Sequence, residues 1–465
     1  MPTLKVVNIT PKALSGTATQ DAEPFLAVDP EQPTAMVATA FTPDPMEGPL
    51  APVYVSTDGG DSWALHTIVP GAAPGLGTAD ITVAFAARGG ALYAGILNGR
   101  AALHRPPITR MQILRAPGIG STAPMELLVS RDREDQPWII ADTVTADGAD
   151  HDRVYVGNNG PGPRTAIVDV SGDARTAPAP AGFLPTVIEH RDPAGQDGPP
   201  VRLAVHPDGT VYAAFESWRT NDGGNPVTDV TFDIVVTRDD GGGLGADTFQ
   251  DLKDATDSAP GQRVATDRFV AFNSTMGQER LGGDLTIAVD PTNADRVWIA
   301  WCDRAGGPDG VDNTLHVRHS GDRGQTWQQV RDDVTDAKNP SLAVNSDGLV
   351  GLVYQRFARN QWTTLLEVTA DNWRTAPESD VLHQAPANVP IAQGLPFLGD
   401  YLRMLAIGKD FYGVFAGNNT PDRANFPVGV TYQRNADFTT HQLLSTDGVT
   451  RVPPSIDPFF FHRAA

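Results

Sequence analysis

The 465-residue sequence predicts an all-β chain, and three observations carry that reading. The first is turn chemistry: 46 glycines and 39 prolines, spread without a low-complexity tract, exceed the roughly 12% of ordinary chains. The second is an apolar tetrapeptide ending in a polar residue, Leu/Ile-Ala-Val-Asp/His/Asn, which recurs along the chain. The third is an eight-residue turn motif that follows it at a nearly constant distance.

The tetrapeptide stands at Leu26 to Asp29, Leu203 to His206, Ile287 to Asp290 and Leu342 to Asn345. Each copy runs into a turn signal (Asp29-Pro30, His206-Pro207-Asp208-Gly209, Asp290-Pro291, Asn345-Ser346-Asp347-Gly348) and then a second apolar run. Run, tight turn, run predicts a β-hairpin. The second motif, Ser/Thr-x-Asp-x-Gly-x-Ser/Thr-Trp, occupies 56–63 and 320–327, and a degenerate copy without its tryptophan begins at Thr237. It starts 27 residues after Asp29, 30 after Asp290 and 31 after His206. Two motifs that keep their separation define a repeat of two hairpins, a four-stranded antiparallel meander. Laid along the chain, the unit falls near 21–75, 77–130, 135–175, 183–255, 280–335, 339–385 and 396–445. The strand 4–9 is placed to complete the last unit. No linker divides the chain, so 1–465 reads as one domain.

The second motif is the Asp box, carried here by Ser56, Asp58, Gly60 and Trp63 and by Ser320, Asp322, Gly324 and Trp327. On these residues the chain resembles the Asp-box β-propellers, a group that includes sialidases, sortilin-type receptors and a photosystem assembly factor. The resemblance implies a single β-propeller with four-stranded blades. Seven blades are preferred to the six of sialidases, which would require merging two weakly patterned units. The box itself has a structural reading: its Asp accepts backbone N–H groups, its Gly takes positive φ, and its Trp packs between blades.

Charge narrows the function classes. With 35 basic and 56 acidic residues the net charge is −21, which opposes binding to nucleic-acid phosphates or to anionic lipid. The apolar runs are far shorter than the roughly 20 residues of a membrane span. The one cysteine, Cys302, rules out an intrachain disulfide framework and a multi-cysteine zinc site, and it reads as a packed residue. Residues 1–10 contain one lysine and no apolar segment, so no secretory signal is predicted there. The sequence by itself reads as cytoplasmic, whereas the resemblance implies an extracellular protein.

Topology says where to look for a site. In a four-stranded meander the first and third turns share one face, and the second turn and the connections between units share the other. Asp boxes are third turns, so the site is expected on the opposite face. Loops 42–50, 144–152, 217–229, 302–313 and 417–429 map there in this reading, with the connections 173–200 and 248–283. Sialidase-like chemistry needs arginines for a substrate carboxylate, a tyrosine nucleophile activated by a carboxylate, and an acid/base aspartate. The candidates are Arg202, Arg280 and Arg403 for binding, and Tyr401, Glu279 and Asp303 for catalysis. The Arg-Ile-Pro-like opening of the first sialidase blade is replaced by Asp21-Ala22-Glu23-Pro24-Phe25, so no residue transfers at that point. The stretch 394–401, with 409–419 and 455–461, resembles the closing region of bacterial Asp-box proteins without an assigned substrate.

Asp147, Asp150 and Asp152 offer clustered oxygen ligands of the kind Ca²⁺ takes, without EF-hand spacing. No cofactor is required, and a structural calcium ion is compatible with that loop. No phosphate-binding loop or Gly-x-Ser-x-Gly elbow is present. Two functions follow: a sialidase-like, glycan-active propeller of the glycoside-hydrolase type, or a non-catalytic propeller that binds a glycan or a protein.

Overall fold

A computed structural model describes residues 3–41, 53–66, 77–99, 109–178, 182–194, 201–224, 228–271, 285–387 and 398–465. Six four-stranded antiparallel sheets follow one another, each with its strands in chain order. Their first strands are Ala22–Val28, Gly77–Phe85, Asp135–Ala146, Arg202–Val205, Leu285–Asp290 and Ala337–Val344. A seventh sheet has the order Arg403–Ile407, Asp410–Asn418, Ile456–Arg463, Leu4–Asn8, Thr431–Tyr432. Each first strand packs against the first strand of the next sheet, and Arg403–Ile407 returns to Ala22–Val28. The ring is therefore closed: a β-propeller with a central channel.

The channel forms a cavity of about 400 Å³, bordered by the first strands of these seven sheets; a further three-stranded sheet, Ala436–Asp437, Gln442–Leu444 and Arg451–Val452, lies outside the ring of first strands. The hydrophobic core is not central but divided into layers between neighbouring sheets. Tyr93, Met111 and Leu128 of the second sheet meet Ile139, Val154 and Val156 of the third; Trp298, Leu315 and Val317 of the fifth meet Leu342, Leu352 and Tyr354 of the sixth. Along Ala22–Val28, Phe25 and Ala27 enter one layer while Leu26 and Val28 enter another. Inner strands bury both faces, which is why they read as continuous apolar runs rather than alternating ones. Buried Cys302 packs in the layer between the fifth and sixth sheets.

Hydroxyl groups bind the ring together. Thr39 Oγ1 donates to the Ile81 carbonyl (2.6 Å) and Thr82 Oγ1 to that of Pro137 (3.1 Å). The backbone N–H of Leu342 donates to Thr286 Oγ1 (3.2 Å) and that of Met404 to Ser341 Oγ (2.9 Å). Each bond joins one sheet to the next.

The two complete Ser-x-Asp turns have the same bonding. Asp58 Oδ1 accepts from Ser56 Oγ (2.8 Å) and Ser62 N (2.9 Å), Ser56 Oγ accepts from Gly60 N (2.9 Å), and Gly60 has φ 85°. Asp322 repeats this with Ser320 (2.7 Å) and Thr326 N (2.9 Å), and Trp327 Nε1 donates to the Gly324 carbonyl (2.9 Å). A third copy in the sixth sheet escapes the sequence pattern. There Asp371 bonds Thr369 (3.0 Å) and Thr375 (2.7 Å), while Trp373, at φ 58°, occupies the place of the glycine. The degenerate copy at Thr237 is a different turn: Asp239 accepts from Gly241, Gly243 and Phe249, and Thr237 Oγ1 bonds the Ala213 carbonyl.

Three boundaries differ from the sequence reading. The fourth sheet ends with Gln262–Ala271, beyond the expected 255 and within the stretch 248–283 that the sequence reading gives to a connection. The third sheet ends with Leu184–Val187, residues the repeat had given to the fourth unit. The last sheet closes with Ile456–Arg463 instead of near 445, because 419–455 is inserted between its second and third strands. Within that insertion Arg434 forms a buried pair with Asp457 (3.0 Å), and Asp457 also accepts from Asn8 (2.7 Å) and Asn419 (2.8 Å).

Candidate functional site

Four of the seven inner strands open with an irregularity at one place. Register shifts interrupt the ladder between Ala22 and Phe25, Thr78 and Ile81, Asp135 and Trp138, and Lys338 and Ser341. In three of them the cause is a residue in the left-handed region before a proline: Glu23 (φ 49°), Gln136 (φ 52°) and Asn339 (φ 52°). Proline has no N–H to pair and bars the α region to its predecessor, so the strand bulges and re-aims the side chains around it.

These openings surround a cluster on the face opposite the Ser-x-Asp turns. Phe25 and Trp138 meet edge to face with centroids 4.7 Å apart, and Tyr401 approaches Trp138 at 5.7 Å. The Arg202 guanidinium lies 3.8 Å from the centroid of Trp138 and 5.6 Å from that of Tyr401. Arg403 sits 5.3 Å from both Phe25 and Trp138. Tyr401 is 8% exposed, and its hydroxyl donates to Asp80 Oδ1 at 3.1 Å. Gly399 fixes the approach of this segment to the first sheet: at φ 89°, a Cβ there would lie 2.3 Å from Glu23 Cγ. Only glycine fits.

Electrostatics separates the charged members. Burial pushes the Tyr401 phenol well above its usual range, and the Asp80 carboxylate adds to the rise. Burial pushes Arg403 down to about 10, with no carboxylate acting against it. Its Nε is enclosed and makes no hydrogen bond. Among the described residues, no carboxylate lies within ion-pair reach of Arg403. A guanidinium in such surroundings is chemically suited to an anion.

The cluster brings together Tyr401, Arg202 and Arg403 of the sequence candidates. Glu279 and Arg280 lie outside the described residues, as does loop 42–50. Asp303 is placed elsewhere: its oxygens are occupied by Arg268 (2.5 and 2.8 Å), His316 Nε2 (3.0 Å) and Trp301 Nε1 (2.7 Å). These bonds lower its carboxyl despite burial. It ties the fourth sheet to the fifth.

The acidic loop needs a correction. Asp135–Ala146 and Ala149–Asn159 form one long hairpin, so Asp147, at φ 51°, lies in a first turn on the face of the Ser-x-Asp turns. Its carboxylates are not gathered. Asp150 pairs with Arg88 (2.9 Å), and Asp152 takes Arg175 (2.8 Å), Tyr93 (2.7 Å) and Thr143 (2.9 Å). Among the described residues no group of three or more His, Cys, Asp or Glu side chains is placed to hold a metal ion. No helix there is long and apolar enough to cross a membrane.

Sequence reasoning missed Phe25, Asp80 and Trp138. A signal existed: Glu23-Pro24, Gln136-Pro137 and Asn339-Pro340 each begin six residues before the polar end of the strand repeat, at Asp29, Asp142 and Asn345.

No family model matches the chain, and no curated protein matches it. Among solved structures it is similar to an α-L-arabinofuranosidase of Fusarium graminearum at 10% identity, covering 81% of this chain and 97% of that one with a TM-score of 0.45. It is also similar to a polysaccharide lyase, an ulvan lyase bound to a GlcA–Rha3S unit, at 10% identity, 86% and 92% coverage and a TM-score of 0.48. A sialidase of Trypanosoma rangeli matches at 13% identity over 99% of this chain and 57% of that one, with a TM-score of 0.37. At these identities and scores, none of them assigns an activity to this chain.

Proposed function

We propose that the protein is a seven-bladed Asp-box propeller of the sialidase-like group that acts on glycans bearing a carboxylate, through the Phe25–Trp138–Tyr401 cluster. One observation supports this above the others: Arg403 is desolvated among aromatic rings and, among the described residues, has no counter-charge. Burying an unpaired guanidinium is costly, and a carboxylate-bearing ligand would offset that cost. Arg403 and Arg202 would hold the carboxylate, and Trp138 and Phe25 would supply apolar surface for a sugar ring. For hydrolysis Tyr401 would attack the anomeric carbon as Asp80 accepts its proton; the glycosidic C–O bond breaks and its oxygen leaves with a proton taken from solvent, after which water displaces Tyr401 from the sugar and the phenol regains its proton from Asp80. A phenol suits that role beside a sugar carboxylate, which would repel a carboxylate nucleophile.

A second reading, recognition without hydrolysis, has its own support. The Tyr401 phenol is held neutral by burial and by the adjacent carboxylate, which makes it a weak nucleophile and a sound hydrogen-bond donor. The test is a panel of sialylated, uronate-bearing and neutral oligosaccharides, assayed for binding and for cleavage with and without a calcium chelator. Selective binding of acidic members is expected. Release of sugar by the wild type but not by Tyr401→Phe establishes the hydrolase; binding without release in either establishes recognition. Equal binding of neutral and acidic members would sink both.

A further inference from the structure

Four residues before Trp138, Glu134 is buried at 5% exposure in the connection from the second sheet to the third. Arg131, on the outer strand Glu126–Asp132 of the second sheet, reaches across to Asp169 in the third, Nη2 to Oδ1 2.7 Å. The same Nη2 donates to the Phe183 carbonyl at 3.0 Å, and Arg131 Nε lies 3.9 Å from Glu134 Oε1. Asn158 Nδ2 donates to Asp169 Oδ2 at 3.0 Å. Two buried carboxylates thus face one guanidinium. Four enclosed atoms at this junction make no hydrogen bond: Arg131 Nε, Glu134 Oε2, Asn158 Oδ1 and Asp169 Oδ1, the last held by its ion pair with Arg131 alone.

The backbone between Glu134 and Trp138 is not held by a continuous ladder. Arg133 (φ 66°) and Gln136 (φ 52°) take left-handed conformations, and the register shift falls between Asp135 and Trp138. Between the interruption and the resumed ladder, Thr82 Oγ1 ties both sides of Trp138, donating to the Pro137 carbonyl (3.1 Å) and accepting from Ile139 N–H (3.2 Å), so a shift at the Glu134 end reaches Trp138 against the tie of one hydroxyl.

We propose that Glu134 is a positioning residue for the aromatic platform: neutral, it holds the connection and Trp138 in place, and ionised, it is repelled by Asp169 and displaces them. Burial pushes the Glu134 carboxyl up to about 7, Asp169 adds to the rise, and Arg131 opposes it. Asp169 and Arg131 are the charged groups facing it. The folded chain then keeps a proton that the unfolded chain loses above about pH 4.3. Stability contributed by the neutral form accordingly falls as pH rises between that value and about 7, and is fully lost above it. The link to ligand binding rests on the function proposed above; the displacement itself does not.

The test uses the ligand-free full chain and follows tryptophan fluorescence from about pH 5 to about pH 8.5, spanning that titration. The wild type is expected to show a transition with its midpoint near 7, absent from both Glu134→Gln and Trp138→Phe. Asp169→Asn should move the midpoint down by about one unit, since a like charge is removed. Melting temperature should fall with pH more steeply in the wild type than in Glu134→Gln. A wild-type transition that persists unchanged in Glu134→Gln, or an absent transition with identical melting curves, overturns the proposal. If Glu134→Gln does not fold, an unmoved midpoint in Asp169→Asn does so. A transition found alongside no glycan binding would overturn the proposed function and leave the device standing.

Discussion

Two arginines, Arg403 half-buried at the centre of the ring and Arg434 fully buried at the seam where it closes, stand in opposite circumstances. At the seam, Arg434 Nη1 bonds both oxygens of Asp457 at 3.0 Å, and Nη2 donates to the carbonyls of Ser15 (2.9 Å) and Thr17 (2.7 Å). At the centre, Arg403 lies against the rings of Phe25 and Trp138 and makes no ion pair with a described residue. Both guanidiniums lie in low-dielectric surroundings, where an unpaired charge is expensive. The seam meets that demand from within the chain. The centre does not, and so has an electrostatic vacancy that an anionic ligand can fill. Under the proposed function, the difference separates a charge that maintains the fold from one that an anionic ligand would complete.

Substitution should break or sharpen this contrast, and the largest effect is expected at the seam. Arg434→Ala leaves Asp457 buried without its cation and should cost about 3–5 kcal/mol in urea unfolding. Wild-type stability in that variant would remove the distinction. Arg403→Ala should act on binding instead, weakening an acidic oligosaccharide by about 2–5 kcal/mol, at least about 30-fold in Kd by calorimetry. Its melting temperature should hold or rise, because an uncompensated charge leaves the interior; a fall comparable to that of Arg434→Ala would refute the reading of the centre.

The smallest effect belongs to the turns of the other face. Asp322→Ala should cost about 1 kcal/mol, as loss of a capping side chain does, with ligand affinity unchanged. Burial raises the Asp322 carboxyl, but hydrogen bonds from Thr326 and Ser320 outweigh this and leave it below its ordinary value. Its contribution is therefore complete above about pH 4 and declines as pH falls through the lowered folded value. Acid unfolding curves of Asp322→Ala and the wild type should converge at low pH, and parallel curves would contradict that origin.

The ring was readable in the sequence because strands buried on both faces must be apolar throughout, so copies such as Leu26–Ala27–Val28 and Leu342–Ala343–Val344 look alike. The Ser-x-Asp turn was readable only where glycine supplies the left-handed residue; at 369–375 Trp373 adopts that conformation and conceals the motif. The face of 144–152 was misread because the inner strand of the third sheet runs on to Ala146, four residues beyond Asp142, whereas that of the first ends at Val28. Arg202, Arg403 and Tyr401, singled out in the sequence by their places at strand openings, lie together in one cluster. Phe25, Trp138 and Asp80 join them through bulges and ring stacking between sheets distant in sequence, contacts that no spacing of residues within one unit encodes. Asp303 sat at an equally suggestive position, yet its role was decided by Arg268, 35 residues away.

The closing sheet also has a mechanical consequence. Leu4 pairs with Arg463 and Asn8 with Phe459, so the two outermost paired residues lie at the same end of one antiparallel ladder. A load pulling Leu4 and Arg463 apart would break the backbone bonds one pair at a time, as a zipper opens, instead of shearing them together. The propeller should therefore yield at low force along this seam, and extension would free the strand Leu4–Asn8 before any other sheet is disturbed.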